Sequence, residues 1–145
     1  KVNGGRVNNL NFLVREEEEC NILNVQKVEK EVKYLVGTYD LEILTLPKIK
    51  TTVEVAQSKN SVIEIPAPGV VAIKVKTLGY GSVYLIEGDE VSLVYSLDPK
   101  KPSESLQLQP GNYKYVFRGE KASRAFYTVE KDFTIKSGKS VRISL

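Results

Sequence analysis

The sequence predicts an all-β protein built from two tandem small β-sandwich modules, and three observations carry that expectation. Apolar and polar residues alternate with period two along most of the chain, as they do in strands that rest one face on a core. Turn signals rich in Gly, Pro, Asn and Asp recur between those runs at short spacing, which suits a sandwich or barrel. The second half of the chain also repeats a pattern found in the first. The 145 residues suffice for one domain or two small ones. As one unit the chain would remove about 68–70% of its unfolded surface from water. Each half alone sits near the size at which a lone core is marginal, so the halves are expected to lean on each other.

Taken in order, the first alternating run is Leu10, Phe12 and Val14, followed by Ile22 and "EVKYLV". Within "NVQKVEKEVKYL", Val25, Val28, Val32 and Leu35 follow helical spacing with Glu and Lys between them. The β-rich surroundings favour a strand, and for residues 25–35 both readings stay open. Tyr39, Leu41 and Ile43 form the next run, then Val53 and Val55, and "SVIEI" closes the first half. In the second half Val71, Ile73 and Val75 face one way while Ala72, Lys74 and Lys76 face the other. The same alternation places Val91, Leu93, Tyr95 and Leu97 on one face, then Leu106 and Leu108, Phe133 and Ile135, and finally Val141, Ile143 and Leu145. "LGYGS", "EGDE", "DPKKPS", "QPGN" and "KSGKS" supply the turns between these strands.

The repeat is clearest at the end of each half. The first runs "VGTYDLEI", a connector and "TVEVAQSKNSVIEI"; the second runs "PGNYKYVF", a connector and "DFTIKSGKSVRISL". Each has Gly-x-Tyr opening a strand, a second alternating strand, a polar turn and a final Ser-Val strand. The boundary falls at "PAPG", residues 66 to 69, because Pro66 and Pro68 cannot donate ladder hydrogen bonds. The modules are therefore residues 1–66 and 67–145. Pro110-Gly111 suits a type II turn with positive φ at the glycine. The tyrosine two residues on is expected to bury its ring and send its hydroxyl to a backbone acceptor, a corner that sandwich domains use.

"QPGNYKYVF" followed by "FTIKSGKSVRISL" resembles the ending of Ig-like, prealbumin-like sandwich modules, among them the carboxypeptidase-regulatory-like and PEGA domains. "GSVYLIEGDE" is similar to the early hairpin of PEGA modules. "LGYGSVYLIEGDEVSLVYSLD" resembles the region that follows a von Willebrand factor A domain in some exported bacterial proteins. The resemblance spans residues 68 to 145 and, more weakly, 30 to 66. The first copy departs from it with Val36 in place of Pro110, and Asn60 where the second turn uses Gly138. The resemblance implies an accessory module: a spacer, stalk or binding platform of a cell-envelope protein. It carries over no catalytic residue.

Composition narrows the chemistry. The 21 basic and 18 acidic residues leave a net +3, with the signs interspersed as in "EKEVK" and "RGEKASR". The nearest approach to a basic patch is "DPKK" with Arg118, Lys121 and Arg124, and a solvated surface is favoured there over a polyanion site, so no nucleic-acid partner is expected. The single Cys20 forms no internal disulfide and reads as a small apolar filler in preference to a reactive thiol. No apolar run approaches the roughly 20 residues that cross a bilayer, so no membrane insertion is expected. The chain starts at Lys1 without a signal peptide, and is expected to be a mature portion or fragment of a longer protein.

The sequence holds no His, which excludes Ser-His-Asp and Cys-His nucleophile sets and, with one Cys, the usual tetrahedral zinc sites. No phosphate-cradling glycine motif occurs, and no cofactor is expected. "REEEEC", Glu16 to Glu19, could offer oxygen to a hard cation, but strand geometry turns consecutive residues to opposite faces, and a solvated run is favoured. Glu87, Asp89 and Glu90 around Gly88 are better shaped for a cation, with a plain hairpin turn as the favoured alternative. Tyr80, between two glycines, and Tyr84 are the candidate binding residues: loop tyrosines exposed to stack on sugars or anchor a partner. Packing against the neighbouring module is the competing role.

The expected function is thus a non-catalytic accessory or structural module pair of an exported or cell-envelope bacterial protein, spacing or presenting a neighbouring domain. The alternative is a glycan- or protein-binding module that uses the tyrosines. Either would work in the periplasm, at the cell surface or after secretion.

Overall fold

The structure is a computed structural model that describes residues 10–17, 21–119 and 128–145, and the backbone of 2–4. Among these residues there are β-strands and no helix. The chain divides into two compact units between Ala67 and Pro68; the sequence argument put the break one residue earlier.

Unit 1 contains β1 (Val2–Gly4), β2 (Asn11–Glu16), β3 (Asn24–Lys27), β4 (Gly37–Ile43), β5 (Ile49–Val55) and β6 (Ile63–Ile65). An antiparallel sheet runs β3-β2-β4-β5, and β1 pairs with β6 in parallel. Unit 2 contains β7 (Gly69–Lys74), β8 (Gly79–Glu87), β9 (Glu90–Ser96), β10 (Ser103–Leu108), β11 (Gly111–Gly119), β12 (Thr128–Ile135) and β13 (Ser140–Ser144). Its antiparallel sheet runs β12-β11-β8-β9, and its second sheet runs β10-β7-β13 with β7 and β13 parallel. The two units share one topology. β9-β8-β11-β12 repeats β3-β2-β4-β5, and the parallel pair β7-β13 repeats β1-β6. Unit 2 adds β10, which pairs antiparallel with the other edge of β7.

Alternation explains the burial. In β11, Tyr113, Tyr115 and Phe117 are buried between more exposed neighbours, and in β7 Val71 and Ile73 do the same. Phe12, Val14, Tyr39, Leu41, Ile43 and Ile65 form the core of unit 1. The repeated tyrosine makes the same corner in both units: Tyr39 Oη donates to Leu35 O at 2.8 Å, and Tyr113 Oη donates to Gln109 O, also four residues back. Gly81 is sterically required, since a Cβ there would lie 2.5 Å from the Tyr115 hydroxyl.

Four details differ from the sequence reading. Val91 and Leu93 are exposed, not inward, because a bulge in the β8–β9 ladder changes the register. Val83 faces Tyr95, but Tyr84 faces Leu93, so one extra residue turns the first half of β9 over. Gly111 is the first residue of β11 and has no positive φ; in unit 2 that conformation occurs at Gly88 and Gly138. Residues 25–35 make neither a helix nor one strand: β3 ends at Lys27, and 30–35 is extended chain. The two Ser-Val pairs are not equivalent, since Ser140-Val141 opens β13 whereas Ser61-Val62 precedes β6.

Candidate functional site

The tyrosines singled out by sequence lie on a strand and not in a loop. Tyr80 and Tyr84 occupy alternate positions of β8, on the face turned away from Val83 and the core. Tyr80 is 64% exposed, whereas Tyr84 is half-buried. The bulge brings Val91 and Leu93 to this same face, opposite Ile86 and Tyr84. Lys114 and Arg118 of β11 lie across from Tyr84 and Tyr80. The result is an apolar and aromatic strip, beside which Lys114 is ion-paired with Glu130 at 3.4 Å and Asp132 at 3.8 Å. Sequence reasoning missed the aliphatic half, because period two alone assigned Val91 and Leu93 to the core.

The candidate cation residues do not converge. Glu87 and Glu90 face each other across the hairpin with Gly88 and Asp89 at its tip, and all are exposed. Among the described residues no group of three or more His, Cys, Asp or Glu side chains is placed to hold one ion. Glu16 closes β2 opposite Tyr39. Glu18, Glu19 and Cys20 lie outside the described residues, as do Lys121 and Arg124. Of the basic grouping, Lys101 sits 4.0 Å from Asp98, while Arg118 belongs to β11. No helix among the described residues is long and apolar enough to cross a membrane.

A cleft in unit 1 is the feature that sequence reasoning did not anticipate. In unit 2, Phe133 lies opposite Tyr113 with the rings stacked 5.6 Å apart, and Ile135 lies opposite Gly111. The same ladder positions of unit 1 hold Val53 opposite Tyr39 and Val55 opposite Gly37. Leu41 likewise stands where unit 2 has Tyr115. Bulk is regained elsewhere: the pair Phe12 and Ile43 replaces Gly81 and Phe117, and Ile49 stands where unit 2 has Val129. Beside these smaller side chains lies a cavity of about 620 Å³. Phe12, Val14 and Leu41 line it on one side; residues 31–36 and the β5–β6 connection, 56–62, form its walls.

The wall at 31–36 belongs to no strand but keeps the alternation of one. Counting back from the tyrosine corners places Val32 and Tyr34 where β10 has Leu106 and Leu108. Val32 and Tyr34 are half-buried between exposed Glu31, Lys33 and Leu35, so the alternation is retained. Yet no backbone–backbone hydrogen bond joins residues 31–35 to any other described residue. A polar clamp holds the segment against β3. Tyr34 Oη donates to Gln26 Oε1 at 2.9 Å and accepts from Asn24 Nδ2 at 3.0 Å, while Gln26 Nε2 donates to Lys30 O. The Tyr34 ring sits tilted against Tyr39, 5.3 Å between centroids, in place of the partner that Phe133 provides for Tyr113.

The titratable groups that depart from ordinary behaviour are distributed unevenly. In unit 1, Glu42 Oε1 meets Lys48 Nζ at 3.0 Å and Oε2 meets Arg15 Nη1 at 2.9 Å. The hydrogen bond from Lys48, then that from Arg15, hold its carboxyl below the usual carboxylate range against the opposing effect of burial. In unit 2, burial pushes Tyr113 and Tyr115 up to about 12, helped by the charges of Glu87 and Glu104 respectively. Tyr95 is raised by its hydrogen bond to Glu104, 2.6 Å long.

No family model and no curated protein matches the chain. A solved structure of the Bacillus anthracis TIE protein is similar, at 14% identity and a TM-score of 0.41, over 99% of this chain. The chain spans 32% of that structure's length.

Proposed function

We propose that residues 1–145 are a non-catalytic pair of accessory modules in an exported or cell-envelope bacterial protein, where they space or present a neighbouring domain. They are grouped here with the prealbumin-like, carboxypeptidase-regulatory-like and PEGA-type sandwiches. The observation that supports this reading is the repetition: one strand order and one tyrosine corner occur twice. Duplicating a whole module lengthens a chain without creating new chemistry, which suits a spacer. The test is replacement. An unrelated sandwich pair of equal length, put in place of residues 1–145 in the parent protein, is expected to preserve that protein's activity and its accessibility to added protease on intact cells. Lost activity in a folded, accessible replacement would count against the proposal.

A second reading, binding of a glycan or protein, is favoured by one observation. Tyr80 and Tyr84 share an outward face with Val91 and Leu93, and exposed aromatic faces stack on sugars and anchor partners. A glycan array and a pull-down on the intact chain test it. Binding that survives Tyr80→Ala unchanged would end this version.

A further inference from the structure

We infer that two copies of this chain associate edge to edge through β9, antiparallel, with the two-fold axis passing at Ser92. This goes beyond the spacer reading and rests on neither function proposed above. The sheet β12-β11-β8-β9 ends in two unlike edges. On β12, Glu130, Lys131 and Asp132 are consecutive, charged and exposed. Charges of that kind deter an edge from pairing with another chain. On β9, residues 91–94 are Val, Ser, Leu and Val, without a charge or a proline. Val91 is 56% exposed and Leu93 58%. The β9 edge is thus unguarded where the β12 edge is guarded.

The backbone is open at the same two residues. Gly88 and Asp89 form a two-residue loop, so Glu87 and Glu90 close the hairpin as a hydrogen-bonded pair. Alternation then aims the backbone groups of Ser92 at Leu85 and turns those of Val91 and Leu93 away from β8. Among the described residues no backbone–backbone hydrogen bond reaches Val91 or Leu93 from outside the sheet. A second copy fits this pattern because the edge is complementary to itself. With Ser92 opposite Ser92 of the other copy, each Val91 faces a Leu93, and the open N–H and C=O groups of both residues find partners. The exposed side chains of Val91 and Leu93 then pair across the new ladder, and no two charges stand opposite each other within 90–94. Moving the register by two residues either way sets one of these residues against the turn at Asp89 or against Tyr95 beyond the bulge.

One short strand from each copy makes a contact of the weak class, below about 1,200 Å² in total. We expect a dissociation constant on the order of 100 µM. Sedimentation equilibrium of the intact 145-residue chain between about 10 µM and 1 mM measures it. Over the same range the amides of Val91 and Leu93 should exchange more slowly as concentration rises. Leu93→Lys places a charge at an exposed edge position. It should weaken association at least about ten-fold while the amide spectrum remains that of a folded chain. Lys131→Gln, on the opposite edge, should leave association unchanged.

Cross-linking reads the register. Opposed residues that share no ladder hydrogen bond stand about 4.5 Å apart between Cα atoms, within reach of a disulfide. In a Cys20→Ser background the introduced thiol is the only one. Mild oxidation should then join two chains carrying Ser92→Cys. Ser96→Cys should not cross-link, because its copies would lie roughly 27 Å apart along the strands. A chain that stays monomeric at about 1 mM, association unmoved by Leu93→Lys in a folded chain, or cross-linking at 96 and not at 92 would overturn the inference. So would a monomer whose amides at 91 and 93 shift on addition of a soluble oligosaccharide such as chitohexaose, since the edge would then belong to another occupant.

Discussion

Tyr39 and Tyr113 hold the same place in two copies of one strand order, yet they meet different neighbours. Tyr113 is fully buried and stacked on Phe133, in a unit whose β10 is bonded to β7. Tyr39 keeps the corner hydrogen bond but faces Val53 and leans on Tyr34, whose segment has no ladder partner among the described residues. The comparison separates what defines this topology from what closes it. Strand order and the tyrosine corner survive large changes of interior volume. At the positions that border the cleft in unit 1, unit 2 has Phe133 and Ile135, and its β10 is bonded to β7.

The most severe break of the comparison is Tyr113→Ala, expected to cost about 3–5 kcal/mol, the range for removing a large buried ring from a packed core. Tyr39→Ala should cost clearly less, because its surroundings already border a cleft. Denaturant unfolding of both variants checks this, and equal losses would erase the distinction. Alkali should sharpen it next. Tyr113 and Tyr115 titrate at about 12 when folded, against 10.0 ordinarily. Raised values mean that their stabilisation is intact below about pH 10 and lost as pH climbs toward 12. Phenolate absorbance should therefore rise together with the unfolding of unit 2, and Tyr113→Phe should lessen that loss.

Acid probes the other unit. Glu42 is held below the ordinary 4.5 by Lys48 and then Arg15, so its contribution is complete above about pH 4.5 and disappears as pH falls. Glu42→Gln should cost about 1–2 kcal/mol at neutral pH and flatten that acid dependence, as urea titrations at several pH values would reveal. The smallest change is a gain. Val53→Phe should stabilise unit 1 by about 0.5–1 kcal/mol, the usual return from filling a cavity, read as a higher unfolding midpoint.

Much of the architecture was legible because alternation reports directly on which side chains face a core. Tyr113, Tyr115, Leu106, Leu108, Phe133 and Ile143 are all buried as their spacing implies. Where the reading failed, a cause outside local periodicity was at work. Val91 and Leu93 alternate as expected, but a bulge that no local residue announces inverts them. Val25, Val28, Val32 and Leu35 match a helix by spacing alone, whereas β3 and the Tyr34 clamp keep the segment extended. The cleft was within reach. Aligning the Gly-x-Tyr strands sets Val53 and Val55 against Phe133 and Ile135, a loss of volume visible in the letters. What the letters lack is the ladder, since Val32 and Tyr34 carry the pattern of β10 without its hydrogen bonds.

The bulge between β8 and β9 has a consequence for how such a module changes over generations. A codon deleted at the hairpin tip, with β9 then pairing without its bulge, would turn Val91 and Leu93 inward and set Ser92 and Val94 outside in their place. One residue of hairpin length therefore decides which side chains of β9 meet solvent.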